Sequence, residues 1–268
     1  MSEVTGRQAK TIHRLLESEW AEGDRQIFAR NIENPLEADA VIVDELSMVD
    51  THLFAALLNA LPLGCRLIMV GDSDQLPPVG AGNVLHDIIE SELLPTVCLT
   101  QVFRQAMESL IVTNAHKIVG GEYPDLGRND KDFFFMPRAT DEQIAATVAS
   151  LCAERLPRAY GDPDGIQVIS PTRRGNSGTD KLNAVLQNAM NPARRGKKEY
   201  KFRDVIFRTG DRVMQVRNNY ELEWTRYGKL GLGIFNGDIG TIKEIDAKNE
   251  RMKIVFDDNR CVDYDFSL

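Results

Sequence analysis

The stretch VIVDELSMVD, residues 41–50, decides the fold. Its three leading β-branched residues extend an apolar run over residues 40–43 that has no polar alternation, which predicts a strand buried on both faces of a parallel sheet. Asp44 and Glu45 follow directly, and residues 50–61 are predicted to form a helix that a proline ends. Because ligands bind at the carboxyl ends of strands in open α/β sheets, the two acids lie where a site is expected.

The same alternation of apolar strands and amphipathic helices continues on both sides of this stretch. Further strands are predicted at residues 66–70, 96–99, 132–138 and 166–171, and further helices at residues 5–17, 84–89, 109–119, 141–156 and 179–190. Strands that alternate with helices indicate an α/β fold built on a parallel sheet.

Two segments depart from this pattern. Residues 17–32 contain two short strand-like pieces around a Glu-Gly-Asp turn, which predicts a small β-hairpin. After about residue 202, strand-like runs alternate with turns, which predicts a small antiparallel β-barrel. Between these regions, YGDPDG at residues 160–165 is the predicted domain boundary.

Composition and charge limit the possible functions only in part. The 268-residue chain has a net charge of −8, which argues weakly against nucleic acid binding. Residues 161–230, however, hold 14 Lys and Arg against eight Asp and Glu. Two interpretations of this basic segment are equally open: a surface that binds phosphate, and a solvated face without a ligand. The four cysteines lack the spacing of metal ligands. No apolar run approaches the ~20 residues of a membrane span, and no signal peptide is visible. A cytoplasmic protein with no membrane partner is therefore expected.

Asp44, Glu45 and Asp72 are the first candidates for chemistry. Asp72 follows the second predicted strand, so two strand ends present acids on one edge of the sheet. A carboxylate there can hold Mg²⁺, directly or through water, and a neighbouring glutamate can deprotonate an attacking water. For an isolated Asp-Glu pair, the simpler interpretation is that Asp44 caps the following turn and Glu45 is solvated. Ser47 and GDSDQLPP at residues 71–78 favour the metal site.

Gln75 and Arg104 are the polar candidates beyond these acids. Gln75 projects from a loop stiffened by two prolines, where an amide can respond to a terminal phosphate; a rigid connector without a ligand is the alternative. Arg104, within QVFRQ, can make a bidentate phosphate contact, and a surface salt bridge is its alternative.

Together these segments resemble a known family. VIVDELSMVD, RLIMVGDSDQLPPVGAGNVL and LTQVFRQA resemble motifs II, III and IV of superfamily 1 helicases, in the branch of RecD/TraA-type DNA helicases that includes the exodeoxyribonuclease V alpha subunit. TGRQAKTIHRLLE resembles motifs Ia and Ib of that RecD-like branch. VISPTRRGNSGTDKLNAVLQNAMNP resembles the start of its second motor domain, and GDRVMQVRNNYELE with GIFNGDIGTI resembles the entry to its SH3-like barrel.

The resemblance implies an α/β fold of the P-loop NTPase (RecA-like) class in three parts. Residues 1–159 would form the first motor domain without its phosphate-loop part, and the hairpin near residues 17–32 would be a pin that splits the duplex. Residues 160–201 would begin a second RecA-like domain, and residues 202–268 would form an incomplete SH3-like β-barrel. The implied activity is ATP-dependent 5′-to-3′ translocation and unwinding on single-stranded DNA, in recombination or repair.

The resemblance also implies roles for individual residues. Asp44 would hold Mg²⁺ and Glu45 would activate water. Gln75 and Arg104 would contact the γ-phosphate of ATP, and Asp72 would support them. The residues implied to lie near single-stranded DNA are Thr11, His13, Arg173, Arg174, Gln215, Asn218 and Asn236. For the helical histidine, ordinary packing is an equal alternative. Implied partners are single-stranded DNA, a duplex fork and other recombination or nuclease subunits.

Some motifs of the family do not occur in the 268 residues. There is no G-x-x-x-x-G-K-[ST] phosphate loop, or Walker A loop, and no counterpart of motifs V and VI. We therefore expect a portion of a helicase that, alone, neither hydrolyses ATP at a useful rate nor unwinds DNA. The alternatives are a non-catalytic single-stranded-DNA-binding module and a subunit that docks into an exodeoxyribonuclease V-like complex.

Overall fold

The computed structural model describes residues 5–7, 9–21, 25–101, 108–162 and 165–266. The chain divides into two compact units, Met1–Phe135 and Met136–Leu268. Each unit has its own hydrophobic core. The predicted domain limits at residues 159 and 201 stay predictions, since division by compactness does not define them. No described helix is long and apolar enough to cross a membrane.

The first unit combines a parallel strand pair, an antiparallel hairpin and short helices. Its elements are α1 (Ile12–Leu15), β1 (Ser18–Ala21), β2 (Arg25–Phe28), β3 (Ala40–Val43), a 3₁₀ turn (Leu46–Met48), α2 (Thr51–Ala60), β4 (Arg66–Met69), α3 (Val84–Glu90) and α4 (Leu110–Val119). Strands β1 and β2 pair antiparallel, which confirms the hairpin predicted within residues 17–32. The Glu-Gly-Asp turn at residues 22–24 lies outside the described residues.

Strands β3 and β4 form the parallel pair that carries the candidate site. Their register runs from Ala40 opposite Arg66 to Val43 opposite Met69. Val43 packs into the core with Leu46 and Leu57, whereas Ile42 is 57% exposed. The prediction that this strand is buried on both faces is wrong, because within the described residues the core covers only one face of the pair.

Two predicted helices of the first unit begin at a side-chain cap. The side chain of Asp50 accepts a hydrogen bond of 2.8 Å from the amide of Leu53, so α2 begins where expected. Ser109 caps α4 in the same way. The helix predicted over residues 5–17 is much shorter, since the described part contains only α1 and the chain then enters the hairpin.

Three predicted strands do not form. Residues 96–99, 132–138 and 166–171 have irregular backbone in the structure. Val97, Leu99 and Ile169 are exposed, although their apolar character motivated the prediction. A strand is stable only against a neighbour, and no described strand lies beside these segments.

The second unit joins a helical part to an antiparallel sheet. Its elements are α5 (Asp141–Ser150), a π-helical turn (Leu151–Arg155), α6 (Leu156–Tyr160), α7 (Thr179–Met190), β5 (Glu199–Phe202), β6 (Val205–Arg208), β7 (Arg212–Met214), β8 (Asn219–Arg226), β9 (Lys229–Ile234), β10 (Ile239–Asp246), β11 (Arg251–Phe256) and β12 (Cys261–Asp265). Helix α7 has the predicted bounds. Strands β5 and β6 form a separate hairpin.

The six strands β7 to β12 confirm the predicted antiparallel β domain. Their order across the sheet is β7-β10-β11-β12-β8-β9. The side chains of Ile234, Ile242 and Ile245 are fully buried in its centre, with Val262 nearly so. Alternating residues of neighbouring strands supply this core, as expected for a sheet that curls around its own apolar face.

A buried polar cluster ties the end of α7 to the strands that follow it. The carboxylate of Asp211 accepts hydrogen bonds of 2.6 Å from Gln187, 2.6 Å from Asn191 and 2.7 Å from the amide of Arg208. The guanidinium of Arg208 is almost fully buried and pairs with Glu199. These contacts hold helix α7 against the base of the β domain.

Candidate functional site

Asp44 and Glu45 lie immediately beyond the carboxyl end of β3, and both side chains are exposed. One carboxylate oxygen of Asp44 accepts a hydrogen bond of 3.1 Å from the amide of Glu45. Glu45 has φ 56° and ψ 43°, the left-handed region that non-glycine residues rarely adopt. Such strain costs about 1–3 kcal/mol and is concentrated at functional sites in proteins.

The loop after β4 is hydrogen-bonded to the segment that carries these acids. The amide of Val70 donates to the carbonyl of Val43 at 2.8 Å, and the amide of Leu46 donates to the carbonyl of Val70 at 3.0 Å. Gly71 comes next, and a Cβ placed there would lie 2.8 Å from Leu85 Cδ2 and 3.1 Å from the amide of Leu46. Only glycine fits this approach without movement of its neighbours.

Gln75 reaches the first segment from this loop. The buried hydroxyl of Ser47 donates a hydrogen bond of 3.3 Å to the side-chain oxygen of Gln75. Asp72 organises the same loop, because its carboxylate accepts from the amide of Asp74 at 3.0 Å and its carbonyl from the amide of Gln75 at 3.3 Å. The structure therefore places Asp72 in a role of loop support.

The far end of the loop lies against the start of α2. A Cβ on Gly80 would lie 2.1 Å from a carboxylate oxygen of Asp50, and one on Gly82 would lie 2.0 Å from the hydroxyl of Thr51. The amide of Thr51 donates to the carbonyl of Ala81 at 3.0 Å. Contacts at both ends thus fix the loop, residues 71–82, relative to Asp44 and Glu45.

The donor chemistry of this edge fits Mg²⁺ with bound phosphate. Asp44 is an exposed carboxylate with lone pairs beyond the one held by the Glu45 amide. Mg²⁺ is usually bound by one or two carboxylates together with phosphate oxygens and waters. The described residues contain no group of three His, Cys, Asp or Glu that could hold a metal without such help. Arg104, the other candidate for phosphate contact, lies outside the described residues.

Thr11 and His13 lie on the short helix α1. The hydroxyl of Thr11 accepts a hydrogen bond of 3.3 Å from the amide of Arg14 and caps the helix. The ring of His13 lies 6.3 Å from that of Phe28 in β2, which brings α1 beside the hairpin. His13 is exposed and packs on an aromatic ring, so the structure is compatible with both interpretations of this residue.

Arg173 and Arg174 precede helix α7 on an exposed loop. Their carbonyls lie so close to Gly178 that a Cβ there would come within 2.5 Å of each. One guanidinium nitrogen of Arg173 is 4.0 Å from the carboxylate of Asp180, yet its side chain remains largely exposed. Both cations are therefore presented to solvent by a tightly folded loop.

Gln215, Asn218 and Asn236 come together at one end of the β domain. The side-chain oxygen of Asn218 accepts a hydrogen bond of 2.9 Å from the amide of Asn236. The carbonyl of Gln215 accepts from the amide of Gly237, next to Asn236, at 2.8 Å. The resemblance implied all three residues, and the structure brings them together through these backbone and side-chain contacts.

The side chain of Gln215 also has a structural task. It donates to the carbonyl of Arg217 at 2.7 Å and accepts from the hydroxyl of Tyr264 at 2.8 Å. Burial, and secondly the nearby carboxylate of Asp238, raise the pKa of Tyr264 to about 12. Sequence reasoning missed Tyr264, because it carries no local signal for the long-range contact that it makes. Ser47 counted toward the site from sequence, but its bond to Gln75 was not predicted.

Comparisons with known proteins assign both units. A family model described as an AAA domain matches residues 1–132. A second model, described as the ATP-dependent RecD-like DNA helicase SH3 domain, matches residues 182–256. The first range contains the acidic strand end, and the second contains α7 from residue 182 and the strands β5 to β11.

Curated relatives give the same picture. The chain is 37% identical over 259 residues to the ATP-dependent RecD2 DNA helicase of Deinococcus radiodurans, covering 97% of this chain and 32% of that protein. It is 28% identical over 251 residues to the RecBCD enzyme subunit RecD of Mycolicibacterium smegmatis, covering 89% and 42%. The chain thus spans less than half the length of either relative.

Among solved structures, a Pif1 helicase from Bacteroides in complex with ADP-AlF3 and single-stranded DNA matches 95% of this chain and 60% of its own, with 19% identity and a TM-score of 0.47.

Proposed function

This chain belongs to the RecD-like helicase family, and from that premise we propose that it is part of an ATP-dependent DNA helicase. The helicase moves 5′ to 3′ along single-stranded DNA, separates strands at a duplex fork, and serves recombination or repair in the cytoplasm. Its cofactors are ATP and Mg²⁺.

The observation that carries the proposal is the fixed geometry between the two strand-end segments. Asp44 and Glu45 on one and Gln75 on the other are held together by the Ser47 hydrogen bond and by the glycine approach at residue 71. Nucleotide hydrolysis requires carboxylates and a phosphate-sensing amide at fixed separation, because positioning and electrostatics supply most of the catalysis.

Each of these side chains has a defined task in the proposal. Asp44 offers a carboxylate oxygen for Mg²⁺, which neutralises phosphate charge when bound. Glu45 accepts the proton of the attacking water. Gln75 presents its NH₂ group as a donor, since Ser47 already occupies its oxygen. Arg104 contacts the γ-phosphate.

DNA contact is proposed for the residues on exposed loops and at the end of the β domain. Arg173 and Arg174 bind phosphates of the single strand, and Asn218 and Asn236 contact it through their amides. Thr11 and His13 lie near the single-stranded DNA, beside the β1–β2 hairpin. This hairpin acts as the pin. Because its side chain is committed to Tyr264 and Arg217, Gln215 holds this end of the domain in shape.

Fluorescence anisotropy with a labelled single-stranded oligonucleotide tests the proposal. We expect binding whose log affinity falls linearly with log salt, with a slope of about 0.7 per phosphate contacted. Substituting Arg173→Ala and Arg174→Ala should lower that slope by about 1.4 in total. Arg158→Ala, an exposed arginine on α6, is the matched control. Absence of salt-dependent binding, or equal slopes for the variant and the control, contradicts the proposal.

ATP hydrolysis is tested separately. The 268 residues contain no G-x-x-x-x-G-K-[ST] loop, so we expect the isolated chain to bind DNA without useful ATP turnover. DNA-stimulated turnover that Glu45→Gln abolishes, and that Glu33→Gln preserves, would contradict this expectation while supporting the role of Glu45.

A second candidate function is a DNA-binding subunit of a larger nuclease complex. It is supported by the relative named RecBCD enzyme subunit RecD. Unwinding by the whole protein without added subunits favours the stand-alone helicase, and unwinding only with other subunits favours the complex.

A further inference from the structure

Strands β8 and β9 form a two-residue hairpin at one edge of the β domain. Tyr227 and Gly228 make its turn, with φ of 49° and 76°. Positive φ at both positions identifies a type I′ turn, which matches the twist of paired strands. Gly231 sits under the indole of Trp224, where a Cβ would come within 2.2 Å of the ring. The register of the hairpin is therefore well defined from its turn to the Glu223–Leu232 pair, beyond which it shifts.

That register determines which backbone groups of β9 face outward. The pair that closes a two-residue hairpin, Arg226 and Lys229, exchanges hydrogen bonds, and such pairs alternate along the strands. Trp224 and Gly231 are the next hydrogen-bonded pair. Leu230 and Leu232 fall on the alternate positions, so their N–H and C=O groups point away from β8. Since β9 is the last strand of the sheet, no described strand pairs with these groups.

The side chains of the same two residues are also exposed. Leu230 is 78% exposed and Leu232 is 63% exposed, on the outer face of the sheet. An edge strand that presents free backbone groups and apolar side chains is a template for another strand. Natural edges are usually protected by charge, proline or a bulge. Here Lys229 precedes the leucines and the register shifts beyond the Glu223–Leu232 pair, but positions 230 and 232 themselves carry neither a charge nor a proline.

Carboxylates surround this apolar pair. A shallow groove of about 380 Å³ lies beside Leu230 on the outer face, and Glu221, Glu223 and Asp263 line it. Lys253 is the cation of the groove and pairs with Asp263 at 3.7 Å. Glu223 lies directly opposite Leu232 in the register. The surface is therefore apolar at the edge and acidic one strand further in.

We propose that this edge docks an extended, basic segment of a partner protein, which adds to the sheet as a strand beside β9. Main-chain hydrogen bonds to Leu230 and Leu232 provide the pairing. A Lys or Arg of the added strand lays its aliphatic stem over Leu232 and extends its charged group toward Glu223, across about 10 Å or two strand spacings.

The charges of the surface exclude two other occupants. Nucleic acid phosphates are repelled by Glu221 and Glu223. A second copy of β9 paired edge to edge would bring two sets of these carboxylates together, and in each groove Lys253 is already paired with Asp263. The inference does not depend on the proposed helicase function.

Two labelled peptides of equal length test the proposal that β9 docks a basic strand. One alternates lysine with valine, and the other alternates glutamate with valine. We expect the lysine peptide to bind the chain and the glutamate peptide to fail to bind. By NMR hydrogen exchange, the lysine peptide should slow exchange of the Leu230 and Leu232 amides at least tenfold. The Gly231 amide, already paired with β8, should change little.

Variants distinguish strand pairing at the β9 edge from nonspecific binding of the peptide. Leu230→Thr with Leu232→Thr, and independently Glu221→Gln with Glu223→Gln, should each weaken peptide binding at least tenfold. The leucine variant should leave single-stranded DNA binding unchanged. Val205→Thr, an exposed apolar residue on β6, should have no effect. The proposal is overturned if the lysine peptide does not bind, or if it binds without protecting the two leucine amides. It is also overturned if the glutamine variant binds the peptide as well as the wild type does, or if the chain forms a dimer that depends on the two leucines.

Discussion

The hydroxyl of Ser47 and the side-chain amide of Gln75 are joined by a hydrogen bond of 3.3 Å, although the residues are 28 positions apart. Ser47 is buried beneath the acidic segment, and Gln75 belongs to the loop after β4. The bond occupies one lone pair of the amide oxygen of Gln75, and the NH₂ group stays available as a donor to other partners. The contact therefore helps to fix the position and orientation of the glutamine.

Removing the Ser47 hydroxyl should loosen the loop without unfolding the first unit. A neutral hydrogen bond contributes about 1 kcal/mol, so Ser47→Ala should raise amide hydrogen exchange across residues 72–76 about fivefold. Ser73→Ala, an exposed serine of the same loop, is the control and should leave exchange unchanged. Equal exchange in the two variants would show that the bond does not order the loop.

Adding one methyl group at Gly71 should separate the two strand-end segments. The new Cβ would meet Leu85 Cδ2 at 2.8 Å and the amide of Leu46 at 3.1 Å. Overpacking of this kind costs about 1–3 kcal/mol, which should appear as a lower urea midpoint for Gly71→Ala. Gly127→Ala adds a methyl group where the nearest atom is 3.9 Å away, and its midpoint should stay within error of the wild type. A Gly71→Ala midpoint equal to that of the control would contradict the close approach.

Neutralising Asp211 should destabilise the second unit. Its carboxylate accepts from Gln187, Asn191 and the amide of Arg208, and Asp211→Asn replaces an acceptor oxygen with an NH₂ group that faces donors. Removing one member of a buried charged cluster costs about 3–5 kcal/mol. Thermal unfolding should move to lower temperature. Asp204→Asn, at the exposed β5–β6 turn, should leave it unchanged, and a similar response from both variants would argue against the cluster.

Tyr264 should make the β domain sensitive to alkali. Burial raises its pKa to about 12, so the folded state holds the phenol proton more tightly than the unfolded chain, where tyrosine has a pKa of about 10. This contribution to stability is complete below pH about 10 and is lost as the pH rises toward 12. In the folded protein, Tyr264→Phe should leave the ultraviolet titration of tyrosinate near pH 10 unchanged. After unfolding, the same variant should show one tyrosine fewer titrating near pH 10.

The matched control for this titration is Tyr123→Phe, which removes an exposed tyrosine. It should keep the alkaline decline in stability. If Tyr264→Phe retained the same decline between pH about 10 and 12, another group would have to be responsible.

Local signals explain the parts of the fold that sequence predicted well. Helix α2 has a capping aspartate and an inward leucine, and α7 has a continuous amphipathic stripe, so their limits depend on residues within one turn. The acids after β3 were predictable for the same reason, because a buried strand that ends in carboxylates is a contiguous pattern. The hairpin of β1 and β2 was likewise visible from its turn residues.

Long-range pairing explains what sequence could not provide. Residues 96–99 have the apolar character of a strand, but strand formation depends on a neighbour that the local pattern does not name. The insertion of β12 between β11 and β8 is a property of the whole domain. At the candidate site, the bond between Ser47 and Gln75 and the packing of Gly71 depend on side-chain geometry across two loops.

The left-handed backbone of Glu45 has a consequence for protein engineering. Glycine and asparagine tolerate this conformation better than glutamate, so replacing Glu45 with either relaxes the turn while it removes the carboxylate. Selection for thermal resistance alone would therefore favour loss of this acid. Under the proposed role of Glu45 as the proton acceptor, this residue links lower stability to activity. Its retention in a variant selected for stability would indicate that activity had been selected as well.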